Sequence, residues 1–275
     1  MSIWNGSIAF VVGLLSLLLV SQTTKVLAAS STVCREHLGD VSDPNGSGGW
    51  ILLNDRSRPV LCISGSLEGI QSPSLVKAVS AHEVLDLVVR STGGPVDVWL
   101  DLAENLVDRL QTLFVDEACI SSCANYLLPV AKTVVATGNS LIVWHGGPNN
   151  ETHETLAGAG VDEAIAYDVL ARRTNALYAR AGINPHILSY TEQPPDFLKA
   201  SRVMGAEAST TPVSGYALSP RRLATCFGFR NLEGMWHAGD DEAVYALGRR
   251  RSSNLALLES PRDDDGSSAC LRGPS

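Results

Sequence analysis

The chain of 275 residues is 45% hydrophobic and only 18% charged, which excludes a disordered chain and a coiled coil built on charged heptads. Gly 24 and Pro 13 are too few and too scattered for a fibrous protein. Lys and Arg number 21 against 29 Asp and Glu, and the net charge of -8 lacks the basic footprint that nucleic acid needs; Arg249-Arg250-Arg251 reads as a solvated helix end.

In chain order, Ile8 to Val20 comes first, an apolar run of signal-peptide length and shorter than the roughly 20 residues of a membrane span. Ser21 to Lys25 breaks it, and Val26-Leu27-Ala28 and Leu27-Ala28-Ala29 offer small residues at a cleavage site. These features predict a signal peptide over 1–29 and a periplasmic or secreted mature protein. No Lys or Arg precedes Ile8, so an uncleaved membrane anchor is the alternative. Cys34, Cys62, Cys119, Cys123, Cys226 and Cys270 suit an oxidising compartment, where an even number permits three disulfides in many alternative pairings. Cys119 and Cys123 are four apart. On a helix face that spacing is poor for a local disulfide, whereas a loop-to-helix turn allows one. No His stands at ligand spacing beside the pair and no second Cys pair follows, so no metal site is predicted.

Asp43 to Gly49 is a turn-rich loop, and Val60 to Ser64 is a strand ending at Gly65. Ser72-Pro73-Ser74 caps a helix with Leu75, Val76, Val79 and Val84 on its apolar face. Leu85 to Val89 is a second strand, leading to Ser91-Thr92-Gly93-Gly94. Val98, Leu102, Leu106 and Leu110 recur every four residues and predict one amphipathic helix. A strand at Leu113-Phe114-Val115, a buried helix over Ala124–Val130 and a strand over Thr133–Thr137 follow. Leu141 to Trp144 is a strand running into His145, and Ala164–Ala181 is a long helix. Strands alternating with helices predict an α/β fold with a mostly parallel sheet. Beyond Ser201, Met204 to Ser219 is rich in turn residues. Leu223–Phe229 reads as a strand, Asp241–Arg249 as a short helix, and Asp263 to Ser268 as a solvated tail.

Sites in parallel α/β sheets collect where loops leave the strand ends. Three such loops carry usable chemistry: Ser91 to Pro95, Cys119 to Ala124, and His145 to Pro148. A serine at a strand-to-helix turn exposes its hydroxyl beside the free N–H groups of a helix start, which suits a nucleophile with an oxyanion donor. Ser121 and Ser122 both fit, and either could instead cap the helix. A histidine at a strand end can be an oriented base or a structural residue. Gly93-Gly94 can present backbone N–H groups to an oxyanion or form an ordinary turn.

The order Gly-Gly, Ser, His, with 145 − 121 = 24 residues from Ser121 to His145, resembles the proteolytic subunit of Clp protease and its exported relatives in the ClpP/crotonase superfamily. Ser91-Thr92-Gly93-Gly94 resembles the family's Ser-Pro-Gly-Gly, with Thr for Pro. Cys119-Ile120-Ser121-Ser122-Cys123-Ala124 resembles the Cys-x-Ser-x-Cys-Ala form of exported relatives. Asn139-Ser140-Leu141-Ile142-Val143-Trp144-His145 resembles the run into the family's catalytic histidine, and Ile63-Ser64-Gly65 an earlier strand ending in Gly. The resemblance covers residues 58 to 200. It leaves 30–57 as an N-terminal extension and 201–275 as a C-terminal extension with a flexible tail.

The resemblance implies repeated ββα units, Ser121 as nucleophile, His145 as general base, and an oxyanion hole from the N–H groups of Gly94 and Ser122, with Gly93 the alternative to Gly94. The third member would be Asp196 or Glu192, neither in perfect register with the family's aspartate. No cofactor is implied. An exported chain has neither ATP nor an ATP-driven unfoldase, so short or already unfolded peptides are the implied substrates, and a homo-oligomer is compatible with the family. A noncatalytic peptide-binding or envelope assembly protein is the second reading. The chain contains no Gly-x-Ser-x-Gly elbow, against an α/β-hydrolase esterase, and an exported chain is a poor fit to acyl-CoA chemistry of the crotonase type. Mass spectrometry of the protein from its native host is expected to find a chain starting near Ala29 or Ser30; soluble cytoplasmic protein with an intact Met1 would refute export.

Overall fold

A strand covered on both faces has no polar alternation, and Val60 to Ser64 and Leu85 to Val89 are buried at every position. The computed structural model describes residues 31–38, 48–54, 58–67, 71–136, 138, 140–148, 160–192, 215–232, 234–235, 246 and 255–257. A helix over 31–38 (α1) opens this part of the chain. There follow β1 Gly49–Leu53, β2 Val60–Ser64, α2 Ser72–Ser80, β3 Leu85–Ser91, α3 Val96–Leu106, β4 Leu110–Ile120, α4 Ser122–Val130, β5 Thr133–Ala136 and β6 Leu141–Val143. After these come α5 Val161–Ala181, α6 His186–Glu192, β7 Gly215–Ala217, α7 Pro220–Phe227, β8 Gly234–Met235 and β9 Leu255–Leu257.

The fold is α/β with a mixed, mostly parallel sheet in the order β1-β2-β3-β4-β5-β8, with β6 also on β4. Among the described residues only the β1–β2 pairing in this sheet is antiparallel. Side chains alternate between two cores. Leu61, Ile63, Leu87, Val89, Leu113 and Val115 join the larger core, together with residues of α2 to α7. Val60, Cys62, Val88 and Phe114 face the opposite way and pack with Cys34 of α1, which is disulfide-bonded to Cys62. Cys119 is bonded to Cys123, and Cys226 is also in a disulfide; no cysteine among the described residues is free. Among these residues no helix is long and apolar enough to cross a membrane.

β4 is long because it serves two partners in succession. Thr112 to Val115 pair with β5, and Ala118 to Ile120 pair with β6. The change falls at Asp116-Glu117, where Glu117 has φ 71°. Arg35 of α1 bonds Asp116 at 2.5 and 2.8 Å and lies 3.1 Å from Glu117, and Arg90 of β3 reaches Glu117 at 3.2 Å. Ser140 donates to the Val115 carbonyl at 2.9 Å, just before the change. The bend is thus tied to the strands and helix around it.

Several sequence expectations need correction. The four-residue spacing from Val98 to Leu110 does not describe one helix: α3 ends at Leu106, Asp108 takes φ 72°, and Leu110 begins β4 beside Leu85. A buried strand and a helix face can both present leucine at that interval, so spacing alone cannot separate them. Cys119 and Ile120 belong to β4 rather than to a loop. Leu223 to Phe227 are helical, in a helix that Ser219 caps by accepting from the Arg222 N–H and that Gly228 ends at φ 83°. Ser72 does not cap α2; Gln71 holds that position, and the Ser72 hydroxyl donates to Asp101. Val84 lies outside that helix and is 38% exposed. The apolar run Ile8–Val20, the cleavage site, Arg249-Arg250-Arg251, the Asp263–Ser268 tail and nearly all of Asp241–Arg249 lie outside the described residues.

One helix carries an internal substitute for a lost backbone bond. Pro129 sits inside α4 and has no N–H for the carbonyl four residues earlier, that of Asn125. The Tyr178 hydroxyl of α5 donates to that carbonyl at 2.8 Å. Burial raises the Tyr178 pKa well above its ordinary value, so the phenol stays a donor. Tyr178→Phe is expected to cost about 1–3 kcal/mol in urea unfolding, and less in a Pro129→Ala background, where the helix bond can re-form. Equal penalties in the two backgrounds would refute this coupling.

Candidate active site

Parallel neighbours end on the same side of a sheet, so adjacent strands deliver their following loops to one place. Ser91 of β3 stands beside Cys119 of β4, and Ile120 beside Val143 of β6. The three chemical loops of the sequence therefore leave side by side. Trp144 forms one further antiparallel bridge, to Tyr216, before His145.

Ser121 is the pivot between β4 and α4. Its N–H donates to the Val143 carbonyl at 2.9 Å and its carbonyl accepts from the Asn125 N–H at 2.9 Å. To make both bonds it adopts φ 60°, ψ −127°, a region that costs a non-glycine residue about 1–3 kcal/mol. It occupies the N-cap position of α4, but its side chain caps nothing. The Oγ lies instead 2.6 Å from Nε2 of His145. With the ring proton on Nδ1, Nε2 accepts the serine proton, which is the starting geometry for an activated nucleophile. His145 is exposed and Ser121 half-buried, so the pair opens to solvent.

The Cys119–Cys123 disulfide spans this pivot, with a Cα–Cα distance of 5.2 Å. Cys119 is the penultimate residue of β4 and Cys123 lies in the first turn of α4, so the strand-to-helix turn makes the bond possible. Both cysteines are fully buried. Closing so short a loop restricts the unfolded chain by about 2 kcal/mol, comparable to the backbone cost at Ser121.

The glycine turn packs directly on the serine. A Cβ on Gly93 would stand 2.7 Å from the Ile120 carbonyl, 3.0 Å from the Ser121 Cβ and 3.1 Å from the Ser122 nitrogen, and φ is +99°. Ser91 organises the turn: its hydroxyl donates to the Gly65 carbonyl at 2.6 Å and accepts from the Gly93 N–H at 3.0 Å. The Gly93 N–H is thereby engaged. Ser122 donates its hydroxyl to the Gly94 carbonyl at 2.9 Å, tying the turn to α4. As the first residue of α4, Ser122 has no acceptor for its N–H within the helix.

The loop after His145 is held from both sides. The Asn125 side-chain amide donates to the Gly146 carbonyl at 2.8 Å, and the Gly146 N–H donates to Thr191 Oγ1 at 3.1 Å. Neither Asn125 nor Thr191 is singled out by motif reading. Asn125 does leave a trace, as a polar residue in the apolar run that becomes α4; Thr191 leaves none. Asp196 lies outside the described residues, and Glu192 is the last residue of α6, next to Thr191. The Glu192 side chain lies outside what the structure describes; among the described side chains no carboxylate bonds the other ring nitrogen of His145, and no group of three or more His, Cys, Asp or Glu is arranged to hold a metal.

No protein-family model matches the chain, and no curated protein matches it.

Gly93→Ala is expected to destabilise the protein by about 1–3 kcal/mol in chemical denaturation, through the positive φ and the clash with backbone. Gly138→Ala, where a Cβ meets nothing within 4 Å, is the control and should stay within about 0.5 kcal/mol of the parent. Equal stability of the two variants would refute the close packing of the glycine turn.

Proposed function

We propose that this chain is an exported serine peptidase of the ClpP/crotonase type, hydrolysing short or already unfolded peptides without ATP. The observation that carries the reading is Ser121 Oγ at 2.6 Å from His145 Nε2, in a residue whose backbone is forced to positive φ and whose side chain forgoes the helix cap. A serine serving only the helix start would turn its oxygen to the free N–H groups of α4.

In this mechanism Ser121 Oγ attacks the peptide carbonyl carbon while His145 Nε2 takes its proton. The carbonyl oxygen, now negative, is held by the N–H groups of Ser122 and Gly94. His145 passes the proton to the departing amine, leaving an acyl-enzyme on Ser121. Water then attacks the acyl carbon with His145 again as base, restoring the hydroxyl and releasing the acid. Parallel strands joined by helices, with glycine, serine and histidine at successive strand ends, support the ClpP-like assignment. The disulfides are compatible with a periplasmic or secreted setting.

The noncatalytic reading, a peptide-binding or envelope assembly protein, draws on the sequence: neither Asp196 nor Glu192 stands in perfect register with the family's aspartate. Reaction of the mature protein with a fluorophosphonate probe separates the two. Labelling is expected, with its loss in Ser121→Ala and a decrease of at least about a hundredfold in His145→Gln. An unreactive parent protein, or labelling that persists in Ser121→Ala, overturns the peptidase reading.

A further inference from the structure

We propose that Asn125 and Thr191 are positioning residues that orient His145 by clamping the backbone of Gly146; the inference rests on the Ser121–His145 hydrolase reading. An exposed imidazole is free to turn about its side-chain bonds unless something near it is fixed. Ser121 is its hydrogen-bond partner among the described side chains, and the backbone that carries the ring sets the position from which the side chain starts.

Gly146 supplies that route. Its carbonyl is taken by Asn125 Nδ2 at 2.8 Å and its N–H by Thr191 Oγ1 at 3.1 Å. The N–H belongs to the peptide unit joining His145 to Gly146, so the Thr191 bond fixes the plane leaving the His145 Cα. Gly146 has φ +103°, which lets the chain turn between the two clamps.

Each clamp is itself anchored. The Thr191 hydroxyl donates its one proton to the Ile187 carbonyl at 2.8 Å, which leaves a lone pair for the Gly146 N–H. Thr191 is buried, so this acceptor is not exchanged for water. Asn125 stands in α4, the helix that begins beside Ser121, and Tyr178 holds its backbone carbonyl because Pro129 cannot. Nucleophile and base are therefore referred to the same helix.

Asn125 also bears a cost that packing does not explain. It is 2% exposed, and its Oδ1 has no hydrogen-bond partner. A buried amide left half-satisfied is disfavoured against an apolar residue of similar size, unless its other half has a task. The task here is the Gly146 carbonyl. Gly147 makes room for it: a Cβ there would lie 2.9 Å from Asn125 Nδ2 and 3.2 Å from Leu188 Cδ2.

Thr191→Val keeps the shape and removes the acceptor, Thr191→Ser restores it, and Gly147→Ala displaces Asn125 without touching Thr191. Two readouts are compared on full-length mature protein: the rate of fluorophosphonate labelling, split into reversible affinity and inactivation step, and the Ser121 Oγ–His145 Nε2 separation in crystals. Thr191→Val and Gly147→Ala are expected to slow the inactivation step by roughly tenfold to a hundredfold at unchanged reversible affinity. Both should lengthen the separation beyond hydrogen-bonding distance or disorder the ring. Thr191→Ser should label within about twofold of the parent. A parent-like inactivation step in folded Thr191→Val, or a retained 2.6 Å separation there, overturns the clamp. If the parent takes no probe at all, the hydrolase reading fails by itself, and the separation in Thr191→Val alone decides the clamp.

Discussion

The whole site depends on the pairing of the far end of β4 with β6, Ala118 to Ile120 against Leu141 to Val143. Being parallel, it brings two chain exits to one edge; being in this register, it puts the Ser121 N–H on the Val143 carbonyl. A slip of one residue would turn every side chain of the shifted strand to the opposite face. Register is protected because Cys119 and Ile142 both belong to the main core and cannot be exposed cheaply. Three residue pairs are few, and the ties from Trp144 to Tyr216 and from Ser140 to Val115 extend the fixed region at either end of β6.

Upstream, this geometry requires β4 to leave β5 and take up β6. The positive φ of Glu117 marks that change, and the charges of Arg35 and Arg90 converge on it. Arg35 is substantially exposed, so its ion pairs contribute little to net stability, about 0–1 kcal/mol each. Their value is directional, since Arg35 belongs to α1 and α1 is fastened to β2 through Cys34–Cys62. The bend, the covering helix and the strand beyond thus form one connected body, with the site at its end.

At the site itself, unfavourable backbone at Ser121 is held by favourable bonds around it. The strand bond, the helix bond and the Cys119–Cys123 disulfide all act within two residues of the strained position. The glycine turn closes on the other side, with no room for a side chain at Gly93. Such over-determination is what a conformation costing about 1–3 kcal/mol needs in order to persist. The histidine differs: it is not among the positive-φ residues, and the bonds to Asn125 and Thr191 are made by the residue after it.

Much of this was written locally. The apolar runs at Val60 and Leu85 and the Ala124 to Val130 helix could be read because each is a continuous buried segment, and the Thr133 strand because it is a β-branched run that ends before Gly138. The small-residue turn around Ser121 and the histidine after an apolar strand were likewise visible as candidates, though either had an ordinary structural reading. Only the parallel pairing brings the two together, setting Oγ beside Nε2 across 24 residues of chain. The same limit explains the misreadings: Leu110 repeats at an interval that a helix and a buried strand can share, Leu223 to Phe229 is too short for its pattern to separate the two, and the surrounding sheet or the Ser219 cap chooses. Asn125 and Thr191 lie furthest from sequence reach. Sequence by itself determined which segments are apolar, where turns fall and which side chains have the chemistry, because those are properties of neighbours along the chain. Which hydroxyl meets the imidazole, and which buried amide and hydroxyl hold its loop, depended on contacts between segments far apart in sequence, and only the packed sheet and its helices determine those.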